Sequence, residues 1–367
     1  MADPRLERLA RLLVQYSTKV KPGDTCVVRG NMVAEPLMRE VVRELTRAGG
    51  HAIIEMSSDG IIEAFWSEAN QDQLKFLPPG EVYFRSEADV IFSLDGSENT
   101  RTLTGIDPEK QKVAGVARRG LTETFMQRSA DKQVRWTIAV FPNQSMAQEA
   151  DMSLPQYEDF VYGACFCDQD DPVAEWQKIH DMQQKIVDWL KGHDEVTVKS
   201  PNVDLTLSIK DRVFINADGT KNMPSGEVFT GPVEDSANGW VQYSYPAIRG
   251  GREVTGIRLE FKDGKVVDAT AAKNQEYLLS QLDSDEGARY LGEFAIGTNY
   301  GIQQFTKSIL FDEKIGGTFH MALGAGYPET GSTNKSAIHW DMICDVRADS
   351  EIRVDGELLY KDGQFQI

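Results

Sequence analysis

"KPGDTCVVRGNMVAEPLMREVVRELTRAGGHAIIEM", residues 21–56, holds a turn, a short apolar run, a helical pattern through Leu37, Val41, Val42 and Leu45, a glycine stop and a second apolar run. Apolar residues at helical spacing between two β-like runs make a β-α-β unit. "ADVIFSLDG" (88–96) and "RWTIAVFP" (135–142) repeat the strand signal with helical stretches between them. The first half is therefore expected to form an α/β domain with a mostly parallel sheet. Its first loop, "RGNMVAEP", has no G-x-G-x-x-G and so lacks the close glycine approach that a dinucleotide pyrophosphate requires.

Working outward, "DPVAEWQKIHDMQQKIVDWLKG" (171–192) spaces Trp176, Ile179, Met182, Ile186 and Leu190 by three and four, with proline near its start and glycine at its end. This predicts a long amphipathic helix closing a first domain, 1–192. His180 on that helix has no second donor one turn away and reads as a packed or surface residue. Beyond Gly192 the pattern changes to short β runs, among them "EVTVKS", "VDLTLSIK", "RVFINADG", "WVQYSYPAI" and "GIRLEFKDGKVVDATA", with hairpin chemistry in "KDGK" and "VDGE". One helical segment, about 274–282, interrupts them. Residues 193–367 are expected to form a predominantly antiparallel α+β domain.

The 39 basic and 57 acidic residues give a net charge of −18, which repels a phosphate backbone and makes nucleic acid an unfavourable partner. No stretch approaches the roughly 20 uninterrupted apolar residues of a membrane span, and the N-terminal "MADPRLERLARLLVQYSTKV" interleaves arginines with apolar residues as a helix does, not as a signal peptide does. Four cysteines, Cys26, Cys165, Cys167 and Cys344, are too few for a disulfide scaffold and lack a paired zinc spacing. These features fit a cytoplasmic globular protein with reduced thiols.

The chemistry gathers late in the chain. In "SAIHWDMICDVR" (336–347), strand alternation puts His339, Asp341, Ile343 and Asp345 on one side and Ile338, Trp340, Met342, Cys344 and Val346 on the other. His320, in "GGTFHMALGAGYPETG" (316–331), lies within twenty residues of His339 although the chain has only five histidines. Glu227 in "NMPSGEVFTGPVE" and Glu293 in "ARYLGEFAIGTN" sit in apolar β-like runs, where a carboxylate is costly to bury unless paired, protonated or bound to a cation. Each alone reads as a salt-bridged strand residue; together with His-x-Asp they read as one metal site. Three carboxylates and two neutral imidazoles carry too much charge for one structural zinc and suit two divalent ions sharing a bridging carboxylate, a hydrolytic arrangement. Asp345 lies too far along the strand to join and is assigned a salt bridge to Arg347.

The ordered series "MPSGEVFTGPVE", "LGEFAIGTN", "FDEKIGGTFHMALGAGYPETG" and "SAIHWDM" resembles the thermophilic metalloaminopeptidase family, as does the N-terminal "VKPGD" unit. The resemblance implies an exopeptidase with two divalent metal ions per chain (Zn, Co, Mn or Mg). It implies Glu227, Glu293, His320, His339 and Asp341 as ligands with Glu293 the bridge, Glu313 near the metals, and Glu227 or Glu313 as the base. Tyr327 in "GAGYPE" matches the family's active-site tyrosine, a phenol donor to an oxyanion. Short peptides with a free N-terminus, bearing Leu or other apolar residues, are the implied substrates, and a homodimer the implied assembly. The same ligands would also serve a metal-dependent amidase acting on a non-peptide substrate, or a non-catalytic ligand-binding protein with a structural metal.

Overall fold

Helix α1 (Pro4–Leu12) opens the computed structural model, which describes residues 3–367. Asp3 caps it by accepting the Arg5 N–H, and Leu6, Leu9 and Leu12 form its buried stripe. The expected β-α-β unit follows as strand β1 (Thr25–Asn31), helix α2 (Glu35–Arg47) and strand β2 (His51–Ser57), paired in parallel with Val27 opposite Ile53. Helices α3 (Asp59–Glu68) and α4 (Pro79–Ser86) lead to β3 (Val90–Asp95), and α5 (Pro108–Ala130) to β4 (Arg135–Val140). The sheet runs β2-β1-β3-β4 and ends on a two-residue strand, Asn222–Met223, that arrives from far downstream and pairs in parallel with β4. Nothing in the dipeptide's own sequence marks it as a strand; pairing alone makes it one.

The chain divides into two compact units. One runs to Glu175 and takes in Gly219–Pro224; the other is Trp176–Asp218 with Ser225–Ile367. Helix α6 (Pro172–Leu190) carries the transition, and its Ile186 and Leu190 belong to the core of the second unit. That unit holds an eight-stranded antiparallel sheet and a five-stranded one. The hairpin turns behave as their sequences predict: Asp263-Gly264 and Asp355-Gly356 have φ of 48°, 78°, 49° and 82°, and Asp362-Gly363 adds a third such turn.

The five-stranded sheet matters most. It comprises β5 (Ile215–Ala217), β6 (Glu227–Thr230), β7 (Leu291–Gly297), β8 (Thr318–Gly324) and β9 (His339–Asp345), in the order β9-β8-β7-β6-β5, all antiparallel. "RVFINADG" contributes only three strand residues, at the sheet's edge. One face, built from Val228, Phe294, Ile296, Phe319, Met321, Leu323, Trp340, Met342 and Cys344, shares a core with Val196, Val198, Leu205 and Leu207 of the larger sheet. Period-two alternation then sends the intervening side chains to the other face. All four cysteines are buried, and among the described residues no helix is long and apolar enough to cross a membrane.

Phe319 is fully buried, its ring 6.0 Å from that of Phe294. Phe319→Ala is expected to cost about 3–5 kcal/mol, read as a lowered denaturation midpoint.

Candidate metal centre

Register assembles the site on the outward face of the five-stranded sheet. Glu227 is paired with Gly297, His320 with Ala295, His339 with Gly324, and Ala322 lies between Glu293 and Asp341. Most of the donors' direct neighbours are thus Ala or Gly, with Ile343 beside His320 the exception, which leaves room for long polar side chains to converge. A one-residue slip would turn every donor into the core. Gly226, with φ 115°, turns the chain into β6; a Cβ there would stand 2.6 Å from Asn299 Cβ. Gln183 of α6 donates to the Glu227 carbonyl, fixing the strand from behind.

The donor atoms converge without forming good hydrogen bonds. His320 Nε2 lies 3.3 Å from Glu293 Oε1 and 3.5 Å from Glu227 Oε2, while His339 Nε2 lies 3.4 Å from both Glu293 Oε2 and Asp341 Oδ1. N–H···O bonds are shorter, centring near 2.9–3.0 Å. Ligands about 2.0–2.2 Å from a common tetrahedral cation stand about 3.3–3.5 Å from one another. The spacing fits ligands around a cation. Glu227 Oε2 is buried with no hydrogen-bond partner, an orphan that a cation would satisfy. Three donor groups can each hold an ion: Glu227, Glu293 and His320; Glu293, His339 and Asp341; and Glu313, His320 and Asp341. Glu293 turns one oxygen toward each histidine. His339 Nδ1–H donates to the Ala325 carbonyl at 2.7 Å, which turns Nε2 toward the cluster, where it can ligate a cation once its proton is displaced.

Burial and mutual repulsion raise the Glu227, Glu293 and Glu313 carboxyls above their usual range. Asp341 is held low: burial opposes this, but the His339 hydrogen bond and charge outweigh it. Burial would lower both imidazoles, yet the carboxylates win, Glu293 first for His320 and Asp341 first for His339, lifting them to about 9 and about 10. Tyr327 packs against Phe229 and edge-on to His339, with centroids 5.5 and 5.4 Å away. Burial and the nearby carboxylates push its phenol far up, so it stays a neutral donor.

All seven residues expected at a site, Glu227, Glu293, Glu313, His320, Tyr327, His339 and Asp341, fall in this one region. Asp345, as expected, pairs with Arg347 instead, and His180 bonds Asp218 at 2.7 Å. The residue that sequence reasoning missed is Lys314. It is wholly buried, makes a short contact with Glu313 Oε1, and lies 3.7 Å from Glu227 Oε1. Burial opposes its charge, but Glu227 and Glu313 more than compensate and raise its pKa. In "FDEKIGG" the lysine looks like part of a solvated charge run. Only the turn after the short helix α7 (Ile309–Asp312) brings it inside.

Lys314→Met leaves Glu227 and Glu313 facing each other without a cation. The metal-free protein is expected to lose about 3–5 kcal/mol of stability, partly recovered on adding Zn²⁺ or Mn²⁺, as measured by denaturant titration. The raised histidines stabilise the metal-free fold fully below pH 6.5, and that contribution disappears as pH climbs through about 9 and about 10. Melting temperature of the metal-free chain should fall across that interval, and metal uptake near neutral pH should release protons measurable in weakly buffered solution.

The model of the family described as thermophilic metalloprotease (M29) matches residues 2–365. Aminopeptidase 2 of Geobacillus stearothermophilus is 28% identical, over 99% of this chain and 95% of the relative. Aminopeptidase PepS of Streptococcus thermophilus is 27% identical, over 98% of this chain and 95% of the relative. The solved structure of wild-type AmpT from Thermus thermophilus has the same fold, with a TM-score of 0.85 at 23% identity, covering 99% of each chain.

Proposed function

This chain belongs to the thermophilic metalloprotease (M29) family and is a metal-dependent aminopeptidase, and from that premise we propose that it uses two divalent ions to remove N-terminal apolar residues from short peptides. The observation that carries the two-ion reading is that two of the three donor sets share Glu293, which turns one oxygen to the histidine of each. Charge supports it: Glu227, Glu293, Glu313 and Asp341 face one ammonium, Lys314, leaving an excess of negative charge that two divalent cations neutralise. Zn, Co, Mn and Mg all suit such a donor set to differing degrees. Ions held there would supply a nucleophile from water near neutral pH and polarise the scissile carbonyl.

The chain's own groups do the rest. Glu227 has one oxygen toward Lys314 and the other toward His320, which suits a ligand better than a base. Glu313, whose raised proton affinity comes from burial, accepts the proton of the attacking water and delivers it to the leaving amine. The Tyr327 phenol donates to the oxyanion of the tetrahedral intermediate. The net negative site favours a cationic N-terminus. Beside His339 and Asp341 a cavity of about 280 Å³, walled by Ile248, Phe305, Ile309, Trp340 and Ile343, can take one bulky apolar side chain. The family resemblance supports a cytoplasmic homodimer.

Hydrolysis of leucine p-nitroanilide by chelator-stripped protein, titrated with Zn²⁺, Co²⁺ or Mn²⁺, should recover at about two equivalents per chain and vanish in His339→Ala. Full activity at one equivalent would refute the two-ion reading. Tyr327→Phe should lower kcat by about 10²–10³ with metal content unchanged. N-acetylated peptides should be poor substrates, and equal cleavage of blocked and free peptides would remove the role given to the free amine.

A further inference from the structure

A second cavity lies wholly within the first unit, where the carboxyl ends of β1, β2, β3 and β4 line a crevice of about 950 Å³. The strand order β2-β1-β3-β4 reverses direction between β1 and β3, and the loops leaving such a pair part to open a ligand crevice. The lining changes character along the strands. Val27, Ile53, Ile91 and Trp136 pack under Phe84 and Phe125. Two residues on, the same face becomes Arg29, Glu55, Ser93 and Ile138, and two further it becomes Asn31, Ser57 and Asp95. Inward faces of parallel sheets are ordinarily apolar throughout, so a polar row here calls for a polar occupant.

Most of its charges are already paired. Arg29 lies 3.3 Å from Glu55, and Arg118 is 3.2 Å from Glu81. Asp59 is tied down by Asn31 Nδ2, Ser97 Oγ and the Asn99 N–H, which fixes the loop wall. Two charges are left over among the described residues. Arg85, half-buried, has no carboxylate within ion-pair reach and lies over the Phe125 ring at 5.2 Å. Asp95 accepts only the Gly96 N–H, at 2.9 Å, and no cation pairs with it. Burial, with the like charge of Arg29, lowers the pKa of half-buried Arg85, while the Asp95 side chain stands exposed to the crevice. A phosphate is disfavoured: α2 opens with Glu35 and Pro36 after an Ala34 that offers no side-chain cap, and an acidic first turn opposes an anion.

Arg85 lines the crevice together with Arg29, Glu55 and Ser93. Asp95 stands two residues beyond Ser93 on the same face, about 7 Å along the strand. Two residues of extended peptide span about 7 Å, whereas a free amino acid carries both charges on one carbon. We propose that this crevice binds a zwitterion of dipeptide length, its carboxylate on Arg85 and its ammonium on Asp95, with Phe65 and Leu103 receiving apolar side chains.

Calorimetry on the full-length chain in chelator, which prevents turnover, tests this with leucyl-leucine, N-acetyl-leucyl-leucine, leucine and adenosine monophosphate. Saturable binding of leucyl-leucine is expected, weakened at least about tenfold in Arg85→Gln and in Asp95→Asn, and largely kept in Arg85→Lys. Variants are compared at matched melting temperature. Acetylation should weaken binding to the wild type and make little further difference to Asp95→Asn. Undiminished binding in both variants, leucine binding as tightly as leucyl-leucine, or a preference for the nucleotide would each overturn the proposal.

Discussion

Four carboxylates converge on one side of a five-stranded sheet with a single ammonium, Lys314, among them. Such a group is not self-sufficient: desolvation, with repulsion from neighbouring carboxylates, raises three of the four toward protonation, and the two histidines respond by holding protons to about pH 9 and about 10. In the metal-free chain, protons and Lys314 provide the cations. Divalent ions would replace the protons at the same donors, which makes folding, protonation and metal uptake one linked equilibrium.

The scaffold meets this demand with the pleat. Aromatic and aliphatic residues on one face bind the sheet to its larger neighbour. The other face carries the donors, with Ala and Gly beside most of them and Phe229 and Ile343 among them. Gly297 and Gly324 let the chain close up around the site, since a Cβ at either would stand 2.2 Å from the Ile315 carbonyl oxygen or 2.1 Å from that of Ile338, while Ala295 and Ala322 keep small side chains beside the donors. Placement on strands rather than loops gives the donors the rigidity that separations of 3.3–3.5 Å require.

Much of this was legible in the residues. The His-x-Asp alternation in 336–347 is local, and its period of two already separates a core side from a donor side. Glu227 and Glu293 stood out because a carboxylate within an apolar strand violates its surroundings. Lys314 did not stand out, since two acidic neighbours make a lysine look solvated. Likewise, Arg29 stood in what read as a loop, "RGNMVAEP", until parallel pairing extended the strand through it and set it beside Glu55.

The sequence by itself determined the period-two and helical patterns, the hairpin turns and the kinds of donor available, because each depends on residues a few positions apart. Tertiary structure alone decided that Glu293 would present one oxygen to each histidine, that Lys314 would turn inward, and that residues 222–223 would complete a sheet begun at residue 25. Those outcomes depend on register between strands separated by tens of residues or more. Register is set by the collective packing of the core, not by any local signal.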